Sequence, residues 1–251
     1  YVPVTMLITA VAFALAALPT FLWLRERAVP RPLPSVAGAL RAGFARVRTT
    51  LAHAHHYRDL FRFLVTLSVY YCGIYTVIVL AAVYAQQVMG FSTQDTIVMI
   101  LVVNATAALG AFSFGRLQDR IGSVPTLALT LLVWIAALVL AFFIETRNGF
   151  WVVANLVGLA LGSSQSAGRA LIGLFSPPAR SAEFFGLWGL AGKLASVIGP
   201  LCYGLVTYFS HGNHRLALLA TAAFFVAGLL LLITVNERRG RLAAQTDNAQ
   251  R

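Results

Sequence analysis

The sequence predicts an all-α membrane protein with seven transmembrane helices, and three observations carry that reading. Of 251 residues, 59% are apolar and only 11% charged, whereas a soluble domain carries about 25% charge. The apolar residues gather into long blocks, and roughly 20 such residues suffice for a helix to cross the hydrocarbon core. Most arginines sit between or beside these blocks. Open β-structure is excluded in the core, because lipid leaves unpaired backbone groups unsatisfied.

The first block, 2–24, is too long and too poor in leading charge to be a signal peptide, and the chain begins at Tyr1 instead of methionine. It reads as an excerpt of a longer protein. The segment 25–60 is a basic central linker in which Pro30, Pro32 and Pro34 stop the first helix and force an extended passage. A helix restarts near Ser35, where Val36, Leu40, Phe44, Val47, Leu51 and Ala54 recur at helical spacing and Arg41 and Arg48 take another face. That pattern suits a helix lying on an anionic membrane surface. His53, His55 and His56 follow with no cysteine and no acid nearby except Asp59, so they read as a solvated linker end and not as a metal cluster. Six further spans are predicted at about 61–84, 96–114, 124–144, 150–172, 184–208 and 215–235, with a tail over 236–251. Short loops divide these six into two sets of three, the arrangement of inverted repeats in transporter halves.

The net charge of +11 is the positive-inside bias of a multi-pass protein. Segment 25–60, loop 115–123 with Arg116 and Arg120, loop 173–183 with Arg180, and the tail with Arg238, Arg239 and Arg241 share one side, which is cytoplasmic. The opposite loops carry only Arg147 and Arg215, so residue 1 is outside and the C-terminus inside. No basic face interleaved with aromatics exists, which excludes nucleic acid as a partner. The preference for arginine over lysine, with abundant alanine, points to a GC-rich bacterial genome and hence to the inner membrane. Cys72 and Cys202 lie within apolar blocks and read as small buried residues. No cofactor and no metal is called for.

Lys193 is the only lysine, nine residues into a span that starts at 184, about 13 Å deep by helix rise. An ionisable group at that depth marks a substrate or proton path, or else a lysine bonded to backbone carbonyls that locks a bent helix. Gly189, Lys193, Ser196, Pro200 and Tyr203 share its face by helical spacing, and Gly199-Pro200 breaks a backbone bond near mid-span, a point for a kink. Asn155, Gly158, Gly162, Ser166 and Arg169 form a second stripe with Gln165 beside it. The two glycines let a neighbouring helix pack closely, and the polar members are candidates to line a cavity. Arg169 is placed to gate the cavity or to snorkel. Tyr71 and Tyr75, with Ser68, occupy one face of the second span, and Asn104 lies at mid-depth of the third; these line a cavity or bond neighbouring helices. Glu183 opens its span, where a carboxylate favours the positive helix end and can bridge to Arg169 or Arg180.

The stretch Gly115-Arg116-Leu117-Gln118-Asp119-Arg120-Ile121-Gly122 resembles the signature loop of the major facilitator superfamily, with Ser123 and Val124 where basic residues are expected. Gln165-Ser166, Arg169, Pro177-Pro178, Ser181, Glu183-Phe184-Phe185-Gly186-Leu187-Trp188, Gly192-Lys193 and Gly199-Pro200 resemble the vacuolar amino-acid effluxer-like family within that superfamily. The resemblance implies that 61–235 is the C-terminal half-bundle of a twelve-helix fold and that 1–24 belongs to an N-terminal half, the missing partner. It also implies that the solute is a small molecule such as an amino acid, moved outward, and that Gly115, Asp119, Arg120 and Gly122 belong to a cytoplasmic gating motif. A seven-helix receptor or retinal protein is the alternative suggested by the span count, but Lys193 is in the sixth span and no acid lies deep in any. An intramembrane hydrolase on Gly162-Ser163-Ser164 lacks a base, since His211 and His214 fall in an outer loop.

Overall fold

The computed structural model describes residues 2–24, 38, 41, 43, 45 and 57–249, and the chain divides into two compact units, Tyr1–Ala45 and Arg46–Arg251. Most of the expected surface helix over 35–54, and the three linker histidines, lie outside the described residues. The first unit holds α1, Val2–Trp23, an apolar helix of 22 residues with Pro19 in its last turns.

The second unit is built from α2 (Arg58–Gln87), α3 (Thr93–Ile121), α4 (Ser123–Phe143), α5 (Arg147–Phe175), a 3-10 turn (Pro178–Arg180), α6 (Ser181–Phe209), α7 (His214–Leu232) and α8 (Glu237–Ala249). The described residues contain no strand. Six helices, α1 to α4 with α6 and α7, are long and apolar enough to cross a membrane. The predicted span 150–172 does form a helix, α5, but it is the seventh by length only, because Asn155, Ser163, Ser164, Gln165, Ser166 and Arg169 dilute its apolar character.

Two boundaries differ from the sequence reading. Residues 115–121 are not a loop but the last two turns of α3; the helix ends only at Gly122, whose φ of 93° reverses the chain directly into α4. Conversely α7 stops at Leu232, before the expected 235, because Thr234 and Val235 donate to Leu231 and Leu232 and tighten the last turn. Other ends are capped locally: Ser92 and Asp95 form a reciprocal box at α3, and Thr146 and Asn213 accept from Gly149 and Leu216 at α5 and α7.

Short connections make successive helices antiparallel. The main pairings are α3 with α5, α2 with α6, α2 with α7, α4 with α5, and α4 with α7. Exchanging α2 with α5, α3 with α6 and α4 with α7 returns the same set, so the two triples pack as repeats related by inversion of direction. The correspondence reaches single residues. Gly110 of α3 lies against the Leu159 carbonyl of α5, and Gly199 of α6 against the Cys72 carbonyl of α2. Gly158 and Gly162 complete the α3–α5 seam against Val103 and Ala107, leaving no room for a side chain, the close approach that small residues permit in lipid. Between the triples, Trp134 is fully buried, stacks on Phe225 at 4.8 Å and donates to Ser164 Oγ at 3.2 Å.

The arginine-rich end is closed by α8. Asp59, only 2% exposed, accepts from the Arg239 guanidinium and from the Asn236 amide. Arg62 donates to the Thr234 carbonyl at 2.9 Å, and Glu237 accepts from the Val124 amide at 2.9 Å, capping α4 from a distance in sequence. The Asp59 hydrogen bond raises the Arg239 pKa above the ordinary arginine value. Asp59→Asn is expected to weaken this attachment by about 1.5 kcal/mol, read as roughly tenfold faster amide exchange in Glu237–Ala249 while α3 and α5 stay protected.

Candidate functional site

The face of α6 that turns away from α2 is divided along its length. One strip carries Leu190, Leu194, Ile198, Leu201 and Leu205, all exposed and apolar, as a lipid-facing helix requires. Beside it runs a strip of Gly186, Gly189, Lys193, Ser196, Pro200 and Gly204, set by three- and four-residue spacing. Lys193 is exposed, and Gly186, Gly189 and Gly204 have open space where a side chain would stand. These differ from Gly192 and Gly199, which pack against α2. An unpacked glycine costs a helix about 1 kcal/mol relative to alanine, so three around one lysine keep a furrow that the helix itself does not need. Tyr203, assigned to this face by spacing, instead turns inward, and its hydroxyl pairs with His214 Nδ1 at 3.1 Å. α6 continues through Pro200, whose missing N–H withholds a bond from the Ser196 carbonyl, while Ser196 Oγ donates to the Lys193 carbonyl at 2.8 Å.

Tyr71 and Tyr75 meet the other side of the furrow. Gly192 lets α6 approach them: a methyl there would lie 3.4 Å from the Tyr75 hydroxyl and 3.6 Å from the Tyr71 ring. Tyr71 stands edge-on to Tyr75 at 5.8 Å and to Trp188 at 6.5 Å, and the Arg169 guanidinium lies 5.7 Å from the Trp188 ring. Arg169 therefore reaches from α5 across to α6. The Tyr70 hydroxyl, completely buried beside Gly168, has no hydrogen-bond partner among the described residues, and the Trp188 indole is packed against the Tyr71 ring. A buried hydroxyl left in this way marks a place for a water. Trp188 and Tyr70 were absent from the sequence candidates, although Trp188 ends the quoted Glu183–Trp188 stretch; an aromatic among apolar residues carries no mark of its partners.

A cavity of about 350 Å³ lies between α2, α3, α4 and α5. Its wall is mostly apolar, with Asn104 and Gln165 among the polar side chains that line it and Tyr84 and Tyr203 lining it as well. Asn155 and Ser166, expected to share it, do not line it. The Gly158–Gly162 ridge packs on α3, so Gln165 falls on one side of that seam while Asn155 and Ser166 fall on the other. The Asn155 amide donates to its own helix at Trp151. The repeat relation links two candidates chosen separately: Asn104 precedes Gly110 by the same interval as Lys193 precedes Gly199, and both are exposed. Ser163 and Ser164 are buried and bond to carbonyls of their own helix, with Ser164 also accepting from Trp134, so neither is presented as a nucleophile.

At the arginine-rich end, Glu183 pairs with Arg180 at 2.9 Å in the first turn of α6, whereas Arg169 is drawn to Trp188. Burial works against the Arg180 charge, but hydrogen bonds to Glu183 and Tyr57 outweigh it and raise its pKa. Asp119 and Arg120 are exposed on the last turn of α3, Gly115 has open space around it, and Gly122 forms the reversal next to the Glu237 carboxylate. At the opposite end Arg147 pairs with Asp95, and Arg215 with Glu145 at 2.8 Å. Both arginines there are neutralised, which sharpens the charge difference between the two ends.

The family described as "Vacuole effluxer Atg22 like" matches residues 1–245. The chain is similar to an uncharacterized MFS-type transporter, YxiO, of Bacillus subtilis, at 27% identity over 96% of this chain and 55% of that protein. It is also similar to autophagy-related protein 22 of Eremothecium gossypii, at 25% identity over 82% of this chain and 43% of that one. The chain thus spans about half the length of these relatives. Among solved structures, it shares the fold of a bacterial homologue of the human lysosomal transporter Spinster, crystallised in an inward-facing, unoccupied conformation. The TM-score is 0.52 at 17% identity, over 92% of this chain and 56% of that one.

Proposed function

The chain belongs to the Atg22-like vacuole effluxer family of the major facilitator type, and from that premise we propose that it forms the C-terminal half of a secondary transporter that moves a small solute by alternating access. The solute binds between this half-bundle and the other half of the longer protein, and it is an amino acid or a related metabolite moving outward. The observation that carries this reading is the furrow on α6: an exposed lysine amid glycines with open space, on a helix otherwise apolar towards lipid, flanked by Tyr71, Tyr75, Trp188 and Arg169. Lys193 and Arg169 offer positive charge to a carboxylate, and the aromatic rings offer contact to the rest of the solute. Asn104 from the first triple and Gln165 from the second serve the same site, and Asp119, Arg120, Gly122 and the Arg180–Glu183 pair act at its cytoplasmic edge.

The arginine-rich end faces the cytoplasm of a bacterial inner membrane; the small number of arginines opposite, Arg147 and Arg215, supports this orientation. A cysteine at position 148 is expected to react with an impermeant thiol reagent in whole cells, and one at 245 only after permeabilisation. The reverse pattern overturns the orientation. For transport, the chain joined to five preceding spans and reconstituted in liposomes is expected to show saturable counterflow of a neutral amino acid. The 251-residue chain alone is expected to show none. Saturable flux by the chain alone, or none by the longer protein with any amino acid, overturns the proposal.

A further inference from the structure

A second cavity, of about 160 Å³, opens at the arginine-rich end, away from the furrow on α6. Its walls are the start of α2 with Tyr57, Arg58 and Asp59, the last residue of α5, Phe175, and α8 with Arg239 and Gly240. Asp59 would repel an anion, but it is already engaged by the Nε and Nη2 of Arg239 and by the Asn236 amide. Arg239 keeps its Nη1 unbonded, and the exposed Arg58 side chain has no hydrogen bond or ion pair among the described residues. Arg62 stands one turn from Arg58 on α2. Positive charge therefore exceeds negative charge around a cavity that has been left open. Gly240 packs directly on the Phe175 ring, so no side chain fits at that point of the wall.

The depth of the cavity bears on its occupant. Arg58 comes five residues before Phe63, where the charge-free stretch of α2 begins, and α8 begins five residues after α7 ends. Both walls thus lie at the level of lipid headgroups, where Tyr57 adds an aromatic rim. Guanidinium groups match phosphate oxygens in a bidentate fork, and basic pockets between helices on the cytoplasmic side bind acidic headgroups. We propose that this cavity binds a phosphate group held by Arg58 and Arg239, and its depth favours the headgroup of an anionic phospholipid over soluble phosphate.

The test is lipid retention by the whole chain, purified from mixed phosphatidylcholine and phosphatidylglycerol vesicles and read by native mass spectrometry. Phosphatidylglycerol is expected to be retained about fivefold over phosphatidylcholine, and Arg58→Gln is expected to abolish that preference. Arg58→Lys, which keeps the charge without the fork, is expected to keep part of it. Arg116→Gln, at the same end but stacked on Phe112 of α3, is expected to change nothing. A separate arm adds inorganic phosphate in detergent. Thermal stabilisation by phosphate that is lost in Arg58→Gln, without any lipid preference, keeps the phosphate site and assigns it to soluble phosphate. Equal retention of both lipids with no response to phosphate, or equal losses in the Arg58 and Arg116 variants, overturns it.

Discussion

Gly162→Ala is expected to lower the unfolding temperature by about 10 °C in detergent. A single methyl at this position would stand inside the Ala107 carbonyl oxygen, and a backbone carbonyl within a helix cannot rotate aside. Relief requires α3 and α5 to separate along the seam that Gly110 and Gly158 also hold, so the cost is set by the loss of a whole interface. Overpacking of this kind costs about 3 kcal/mol or more, and at roughly 3 °C per kcal/mol for a chain of this size the shift follows. Gly189→Ala supplies the contrast. That glycine has open space around it, so alanine is expected to raise helix stability by up to about 1 kcal/mol. Equal shifts in the two variants, measured by thermal unfolding followed by size-exclusion fluorescence, would show that the α3–α5 seam yields more readily than its geometry allows.

Lys193→Met, in the longer protein, is expected to reduce transport about 30-fold with the unfolding temperature unchanged. Lys193 is exposed, its ammonium makes no hydrogen bond or ion pair among the described residues, and it is flanked by unpacked glycines, so methionine replaces it without strain. A charge-assisted hydrogen bond to a solute carboxylate is worth about 2 kcal/mol, which corresponds to roughly that factor. The loss is expected in the concentration for half-maximal counterflow more than in its maximal rate, because the charge acts in binding. Arg169→Met separates the two cations: it also removes the stacking on Trp188, so it is expected to cost stability as well as flux. A Lys193 variant with full transport would leave the furrow without a function in solute binding.

The helices were legible in the sequence because hydropathy and helix length respond to the same constraint, the thickness of the hydrocarbon. Their ends were less legible, since backbone hydrogen bonding carries α3 on to Gly122 after the apolar run has finished. Single positions stand out where chemistry and depth conflict, as with Lys193, or where glycines recur at helical spacing, and the close α3–α5 packing bears out the second at Gly158 and Gly162. Pairings between distant segments left no local sign. Asp59 with Arg239, Glu237 with the start of α4, and Tyr203 with His214 each join segments whose proximity depends on the packing order. The polar stripe of α5 divides for a related reason. Helical spacing puts Asn155, Ser166 and Gln165 near one another, but which of them meets the cavity depends on where the glycine ridge docks.

The exchange relation between the two triples bears on energetics. A repeat inverted in direction presents to one leaflet what its counterpart presents to the other, so opening towards either side breaks and makes nearly the same kinds of contact. Two such states start close to equal in free energy, and a bias of about 1.4 kcal/mol is enough to set a tenfold preference between them. Gly110 and Gly199 make matched close contacts in the two repeats, and under the alternating access proposed above they are the positions expected to act on that balance. Tightening or loosening one should tilt the resting population towards one aqueous phase, and the same change at the other should tilt it back, so a doubly altered protein should rest nearer the middle than either single variant.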